Sequence, residues 1–370
     1  MLFPRLTRVF FFAAVCIISL NATSFAQQGA KTAPGGRLIE LKVPAPSLKG
    51  NLLGDPAEQS IAVYLPPGYD TSSTARYPTL YLLHGYTATN GAWLNGYQGM
   101  KLQVLMDDMI KSGKVGEMIV VAPNGWNAYK GGFYTNSTVA GGWEDYIYRD
   151  VVQYVDSNYR TIARAESRGI AGHSMGGYGA LTLAMKHPDV FGAVYALSPC
   201  CVVMEGDFSE QNPAWFNTLR LTSREQLNKP PKSIEEFYQM AFVALAAAFS
   251  PNPTRGPFYV DFPYQERDGR IEKNEPVFAK WRSKMPVYMV GENKANLLKL
   301  RGIFIDVGEK EEFSSIRIGV PQLSKALSEQ NIPHSFEIYA GADHGSKIRQ
   351  RLETRLFQFF SETLDFKNPN

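Results

Sequence analysis

The sequence predicts an α/β fold in three layers, a mostly parallel sheet with helices on both faces and a helical insertion before the last strands. Three observations carry this expectation. Short runs that are apolar throughout, as buried parallel strands are, end at Gly or Pro. Stretches of helical period alternate with them, which is the rhythm of right-handed βαβ crossovers. One run, "RGIAG" at 168–172, enters a glycine-crowded turn and passes at once into a helix.

In chain order the strands are "IAVYL" (61–65), "TLYLLHG" (79–85), "EMIVVAP" (117–123), "RGIAG" and, near the end, "SFEIYAG" (335–341). Between them Leu102, Leu105, Met106 and Met109 share one helical face, as do Ile147, Val151 and Val155. A last amphipathic helix carries Ile348, Leu352, Leu356 and Phe360. Residues 200 to about 300 break the rhythm and are read as an insertion packed over one edge of the sheet, lidding whatever site lies there. Within it "MPVYMVGE" (285–292) fits either a strand or a proline-started helix running through Leu300.

The ends and the composition narrow the classes. Arg5 and Arg8 precede the apolar run "VFFFAAVCIISL", and Ser24 and Ala26 are spaced as a cleavage site, so residues 1–26 read as a signal peptide cut after Ala26. At about a dozen residues the run is too short for a bilayer, which needs roughly 20. The mature chain is expected to be secreted or periplasmic, without a membrane span. Residues 27–54 read as a linker or a first edge strand, and 55–366 as the main domain with its insertion. With 38 basic and 35 acidic residues and no long run of either sign, nucleic acid is a poor partner. Cys200 and Cys201 alone remain after cleavage, adjacent in sequence, and are expected to be plain thiols beside a strand end.

Gly172-His173-Ser174-Met175-Gly176 fits G-x-S-x-G between a strand and a helix. Such a tight turn excludes Cβ atoms two positions either side of the serine, and it exposes the hydroxyl at the carboxyl edge of the sheet. The Met175 N–H then points to where an oxyanion would form. A second N–H, that of Tyr86, is offered by the loop "HGYTATNGAW" after an earlier strand. A serine nucleophile needs a base. His173 faces the other side of the turn, His187 ends the following helix, His84 holds a loop, and His334 lies at the opposite edge. His344, just past the last strand, shares the edge of Ser174. The acid that would orient it comes from "RGIFIDVGEKEEF", which supplies Asp306, Glu309, Glu311 and Glu312, with Glu292 added if 285–292 is a strand.

These residues resemble the esterase D and feruloyl esterase-like branch of the α/β-hydrolases. "YLPPGYD", "YPTLYLLHGYTATNGAW", "GGWEDYI", "RGIAGHSMGGYGALTLAMKHPDVFGAVYALSP" and "YAGADHGSKIRQRL" carry the similarity from about residue 55 to 362. The resemblance implies ester hydrolysis by a Ser–acid–His triad without metal or cofactor. Ser174 and His344 match the nucleophile and base, and Tyr86 and Met175 the oxyanion donors. In relatives the acid is usually Asp in Gly-x-x-Asp. Here Gly308-Glu309-Lys310-Glu311 puts Glu311 there, with Asp306 second. Aromatic loops near the site name Trp93, Trp126 and Trp143 as substrate contacts, suiting a small-molecule or glycan-linked ester. An extracellular acyltransferase with the same triad is the alternative, and a non-catalytic binding protein on the same scaffold is the alternative of another class.

Overall fold

The computed structural model describes residues 35–368, so the leader at 1–26 and residues 27–34 lie outside the described residues. Eight strands form one sheet: β1 (Arg37–Pro44), β2 (Glu58–Leu65), β3 (Thr79–Leu83), β4 (Ile119–Pro123), β5 (Arg168–His173), β6 (Ala193–Leu197), β7 (Gly302–Gly308) and β8 (Ser335–Tyr339). Their spatial order is β1-β2-β4-β3-β5-β6-β7-β8. Strands β1 and β2 pair antiparallel, as do β2 and β4, and every later pairing is parallel. At Arg37–Pro44 strand β1 edges the sheet beside β2. The main unit therefore begins before residue 55.

Strands β3, β4, β5 and β6 are buried along their whole length, which is why their sequences are mostly apolar rather than alternating, with Thr79, Arg168 and His173 as buried polar residues at strand ends. Helices cover both faces: α1 (Leu102–Lys111), α2 (143–158), α3 (Met175–Lys186), α4 (Ile234–Phe249), α5 (Ser314–Glu329) and α6 (348–363). Helix α1 buries Leu102, Leu105, Met106 and Met109. Helix α6 sinks Ile348, Leu352, Leu356 and Phe360 against the face that also receives Tyr195 and Leu197. At about 1.5–3 kcal/mol for each buried large side chain, this face holds the C-terminal helix on the sheet.

The insertion leaves β6 and returns at β7. It contains α4, whose N-cap Ser233 side chain accepts from the Glu236 N–H and whose residues Met240 to Phe249 are all buried. The insertion also holds a small antiparallel ribbon, Tyr264–Arg267 with Arg270–Lys273, which the sequence pattern does not announce. Segment 285–292 is no strand: Pro286–Met289 is one helical turn, and a second turn follows at Lys294–Leu297. Glu292 accordingly lies outside any strand of the sheet.

Candidate active site

Ser174 joins β5 to α3 with φ 57° and ψ −116°, a conformation that costs an L residue about 1–3 kcal/mol. Its neighbours make the turn possible. A Cβ on Gly176 would lie 2.0 Å from the Leu83 carbonyl oxygen, and one on Gly172 would lie 2.3 Å from Gly176. The turn is held from both sides of the serine: Ser174 N–H donates to Leu197 O (3.0 Å), and Ser174 O accepts from Tyr178 N–H (3.0 Å) and Cys200 N–H (3.1 Å).

The loop after β3 presses on this elbow. A Cβ on Gly85 would stand 3.5 Å from the Ser174 Cβ, so Tyr86 is delivered beside the serine. His84 organises that loop. It is fully buried, and burial lowers its pKa to about 4, so the ring is neutral. Its Nε2 accepts from Gly125 N–H (2.7 Å), which leaves Nδ1–H to donate to Gly85 O (2.9 Å). Neither the Tyr86 nor the Met175 N–H has a hydrogen-bond acceptor among the described residues.

His344 sits in the loop past β8, on the same edge as Ser174. Its Nδ1 bonds Glu311 Oε2 at 2.9 Å. The Glu311 side chain is fully buried, and Oε1 accepts from Phe313 N–H (3.2 Å), so both carboxylate oxygens are engaged. Glu312 accepts from the His344 N–H (2.9 Å). Main-chain bonds lock the two loops together, Glu309 N–H to Tyr339 O (3.0 Å) and Lys310 N–H to Ala342 O (2.8 Å). Gly308 is the contact point, because a Cβ there would come within 2.3 Å of Ala342 O.

Asp306 is elsewhere. It lies inside β7, fully buried, with Oδ2 accepting from Tyr195 O–H (2.6 Å) and Arg351 Nε (2.8 Å). Burial raises its pKa to about 6 against the opposing Arg351 charge. Glu337 takes two further bonds from the Arg351 guanidinium. This network joins β6, β7, β8 and α6 and makes no bond to His344.

His173 also departs from expectation. Instead of facing away, its Nε2 lies 2.8 Å from His344 O and its ring centroid 4.5 Å from that of His344. Burial, then the nearby His344 charge, holds its pKa well below the ordinary value. The ring is therefore neutral, with Nε2–H donating to the carbonyl. His187 bonds Glu144 and stacks on Tyr148, and His334 bonds Ser324.

Ser174, His173, His344 and Tyr86 open onto one cavity of about 280 Å³. Its wall is mainly aromatic: Tyr97, Phe133, Phe208, Phe237, Tyr238 and Phe313. Phe208 and the α4 residues Phe237 and Tyr238 of this wall come from the insertion. The three tryptophans are not part of this wall. Trp93 is fully buried and packs edge-on against Tyr97 at 4.7 Å. Trp143 is fully buried and donates Nε1–H to Ala140 O (2.8 Å). Trp126 is half-buried and lines none of the cavity. Large rings next to the motif loops were needed for the core. Of the cavity's aromatics, Phe208, Phe237 and Tyr238 lie in the insertion, whereas Tyr97, Phe133 and Phe313 lie in segments that follow β3, β4 and β7. Gln98 is a further residue that sequence reasoning passed over. It accepts from Arg349 N–H (3.0 Å) and donates to Gly345 O, clamping the His344 loop to the segment after β3. Among the described residues no cluster of three His, Cys, Asp or Glu is placed to hold a metal ion.

The strand order and the helices on both faces of the mostly parallel sheet give the α/β fold that α/β-hydrolase esterases share. The chain belongs to the Esterase family, whose model matches residues 56–350. It is 35% identical over 138 residues to an endo-1,4-beta-xylanase/feruloyl esterase of Xylanibacter ruminicola, covering 36% of this chain and 18% of that protein. It is 34% identical over 131 residues to an esterase of Mycobacterium tuberculosis, covering 34% of this chain and 26% of that one. The chain thus spans about a fifth to a quarter of the curated relatives' length. Among solved structures it resembles a ferulic acid esterase with TM-score 0.60 at 21% identity, over 89% of this chain and 99% of that one. It also resembles an S-formylglutathione hydrolase of Agrobacterium tumefaciens with TM-score 0.57 at 18% identity, over 90% and 98% of the two chains. These likenesses establish a shared fold.

Proposed function

We propose that the chain hydrolyses carboxylic esters through Ser174, His344 and Glu311, with the Tyr86 and Met175 N–H groups as the oxyanion hole. The observation that carries this reading is the 2.9 Å bond from His344 Nδ1 to the buried Glu311, at the cavity that Ser174 also enters. Glu311 fixes the tautomer, so Nε2 of His344 is free to take the Ser174 proton as Oγ attacks the ester carbonyl. The two N–H groups receive the charge that develops on the carbonyl oxygen. His344 gives its proton to the departing alcohol, and a water molecule repeats the sequence to free the acid and restore Ser174.

The aromatic wall suits an aryl acyl group, and the Xylanibacter relative, an endo-1,4-beta-xylanase/feruloyl esterase, points the same way. Sugar-linked feruloyl or acetyl esters are therefore the proposed substrates. Export rests on the leader at 1–26, and N-terminal sequencing of the mature chain should then begin at Gln27.

The test is fluorophosphonate labelling of the protein and of Ser174→Ala, with a panel of aryl, acetyl and feruloyl esters. Labelling and turnover should both vanish in Ser174→Ala. Labelling that survives the substitution overturns the nucleophile, and an unlabelled, inactive parent protein favours a binding role.

A further inference from the structure

Cys200 and Cys201 are the pair to which the triad gives no role. Both line the cavity with Ser174 and His344. Their sulfurs lie 2.7 Å apart, against about 2.05 Å for a disulfide bond. Cys200 is half-buried and reachable from the cavity, while Cys201 is buried with φ 58°, a left-handed conformation that is strained for a residue bearing a Cβ. The Cys200 N–H donates to Ser174 O at 3.1 Å. That carbonyl belongs to the same rigid peptide plane as the Met175 N–H. Cys200, together with the Tyr178 N–H, therefore holds one end of a peptide whose other end is the proposed oxyanion donor.

We propose that Cys200 and Cys201 are a reversible dithiol–disulfide couple that slows the Ser174 site when closed, the oxidant being a small disulfide such as oxidised glutathione. The Cys200 thiolate attacks one sulfur of the oxidant and expels one thiol, giving a mixed disulfide. The Cys201 sulfur, losing its proton, attacks the Cys200 sulfur and expels the second thiol. Both cysteines each lose one hydrogen, and the oxidant is reduced to two thiols. Cys200 is the attacking sulfur because it is the more accessible of the two, half-buried where Cys201 is buried. Burial pushes the Cys201 thiol up, well above its ordinary value, so it follows as the resolving group.

Adjacent Cα atoms stand about 3.8 Å apart across a trans peptide, short of the roughly 4.4–6.8 Å of ordinary disulfides. The closed ring is consequently strained and easily reduced, which marks a labile couple and not a structural staple. Closing it must shift the Cys200 backbone and tilt the Ser174–Met175 peptide.

The experiment treats the full chain with oxidised glutathione and then with dithiothreitol. Tryptic peptide 187–220 contains both cysteines and excludes Cys16. It should become lighter by two hydrogens, resist alkylation and carry no glutathione. The kcat/KM for an aryl ester should fall by about tenfold, less than the roughly 10²–10³ of a lost oxyanion donor, and dithiothreitol should restore it. Cys200→Ser, compared with its own reduced rate, should lose the sensitivity, whereas Cys201→Ser should stop at a single glutathione adduct on Cys200 that dithiothreitol removes. The rate arm rests on the ester-hydrolase reading, but the mass arm does not: Ser174→Ala should close the ring just as the parent does. In the parent chain, two alkylatable thiols after oxidation, a single glutathione adduct, or a closed ring with unchanged rate each overturn the proposal.

Discussion

Glu311 and Asp306 are five residues apart in sequence, and both are buried carboxyls, but their neighbours give them different work. Glu311 meets an imidazole. Asp306 meets a guanidinium and a phenol in the seam between the sheet and α6. Glu311→Gln keeps the shape and loses the carboxylate that fixes the His344 tautomer, so kcat should drop by about 10³–10⁴ while the thermal midpoint barely moves. Asp306→Asn should do the reverse. It leaves Arg351 short of a partner, costing on the order of 3 kcal/mol in urea unfolding with turnover largely kept. A panel of kcat values and unfolding curves on the two variants separates the roles. Strand position alone told little here, since the stretch 306–312 offers four acids within one loop entry. Which of them reaches His344 depends on how far β8 carries the chain, a tertiary quantity.

At the scale of elements, the elbow was the most legible part of the molecule because its requirements are local. The close approach of Gly176 to the Leu83 carbonyl follows from a turn written in five residues. Gly176→Ala has no room to relax against backbone, so we expect a loss of about 4 kcal/mol or more, seen as insoluble or unfolded protein. The loop after β3 carries a different liability. His84 is held neutral with a pKa of about 4, below the 6.5 of the free side chain. Between those values the unfolded chain binds a proton that the folded chain refuses, so stability falls as pH drops from about 6.5 to about 4, by up to roughly 3 kcal/mol from this group. His84→Gln should be less stable at neutral pH yet lose less over that window, measured as urea midpoints against pH. The aromatic wall was less legible. Trp93 and Trp143 sit in motif loops but turn inward, while Phe237 and Tyr238 sit on a helix whose pattern announces only a buried face.

Taken whole, the insertion between β6 and β7 serves both core and cavity: Met240 to Phe249 of α4 are buried, while Phe237 and Tyr238 near its start line the cavity beside Ser174. Phe237→Ala should therefore raise KM for aryl esters by about tenfold, consistent with losing part of a buried ring, and leave acetyl esters nearly unaffected. Equal losses on both substrates would place Phe237 outside the acyl pocket. The α/β class and the strand rhythm could be read from apolar runs, because burial on both faces leaves its mark on every residue. The two-stranded ribbon at 264–273 could not, its strands being mostly exposed and only four residues long. The bond from His173 to His344 spans 171 positions and joins the elbow to the loop that follows β8, an edge strand paired with β7. All five tryptophans precede β7, at 93, 126, 143, 215 and 281. During refolding, then, fluorescence watches the body of the protein while turnover watches its tail. Recovered activity should trail recovered fluorescence, and the interval between them is the time the C-terminal strand and helix take to dock.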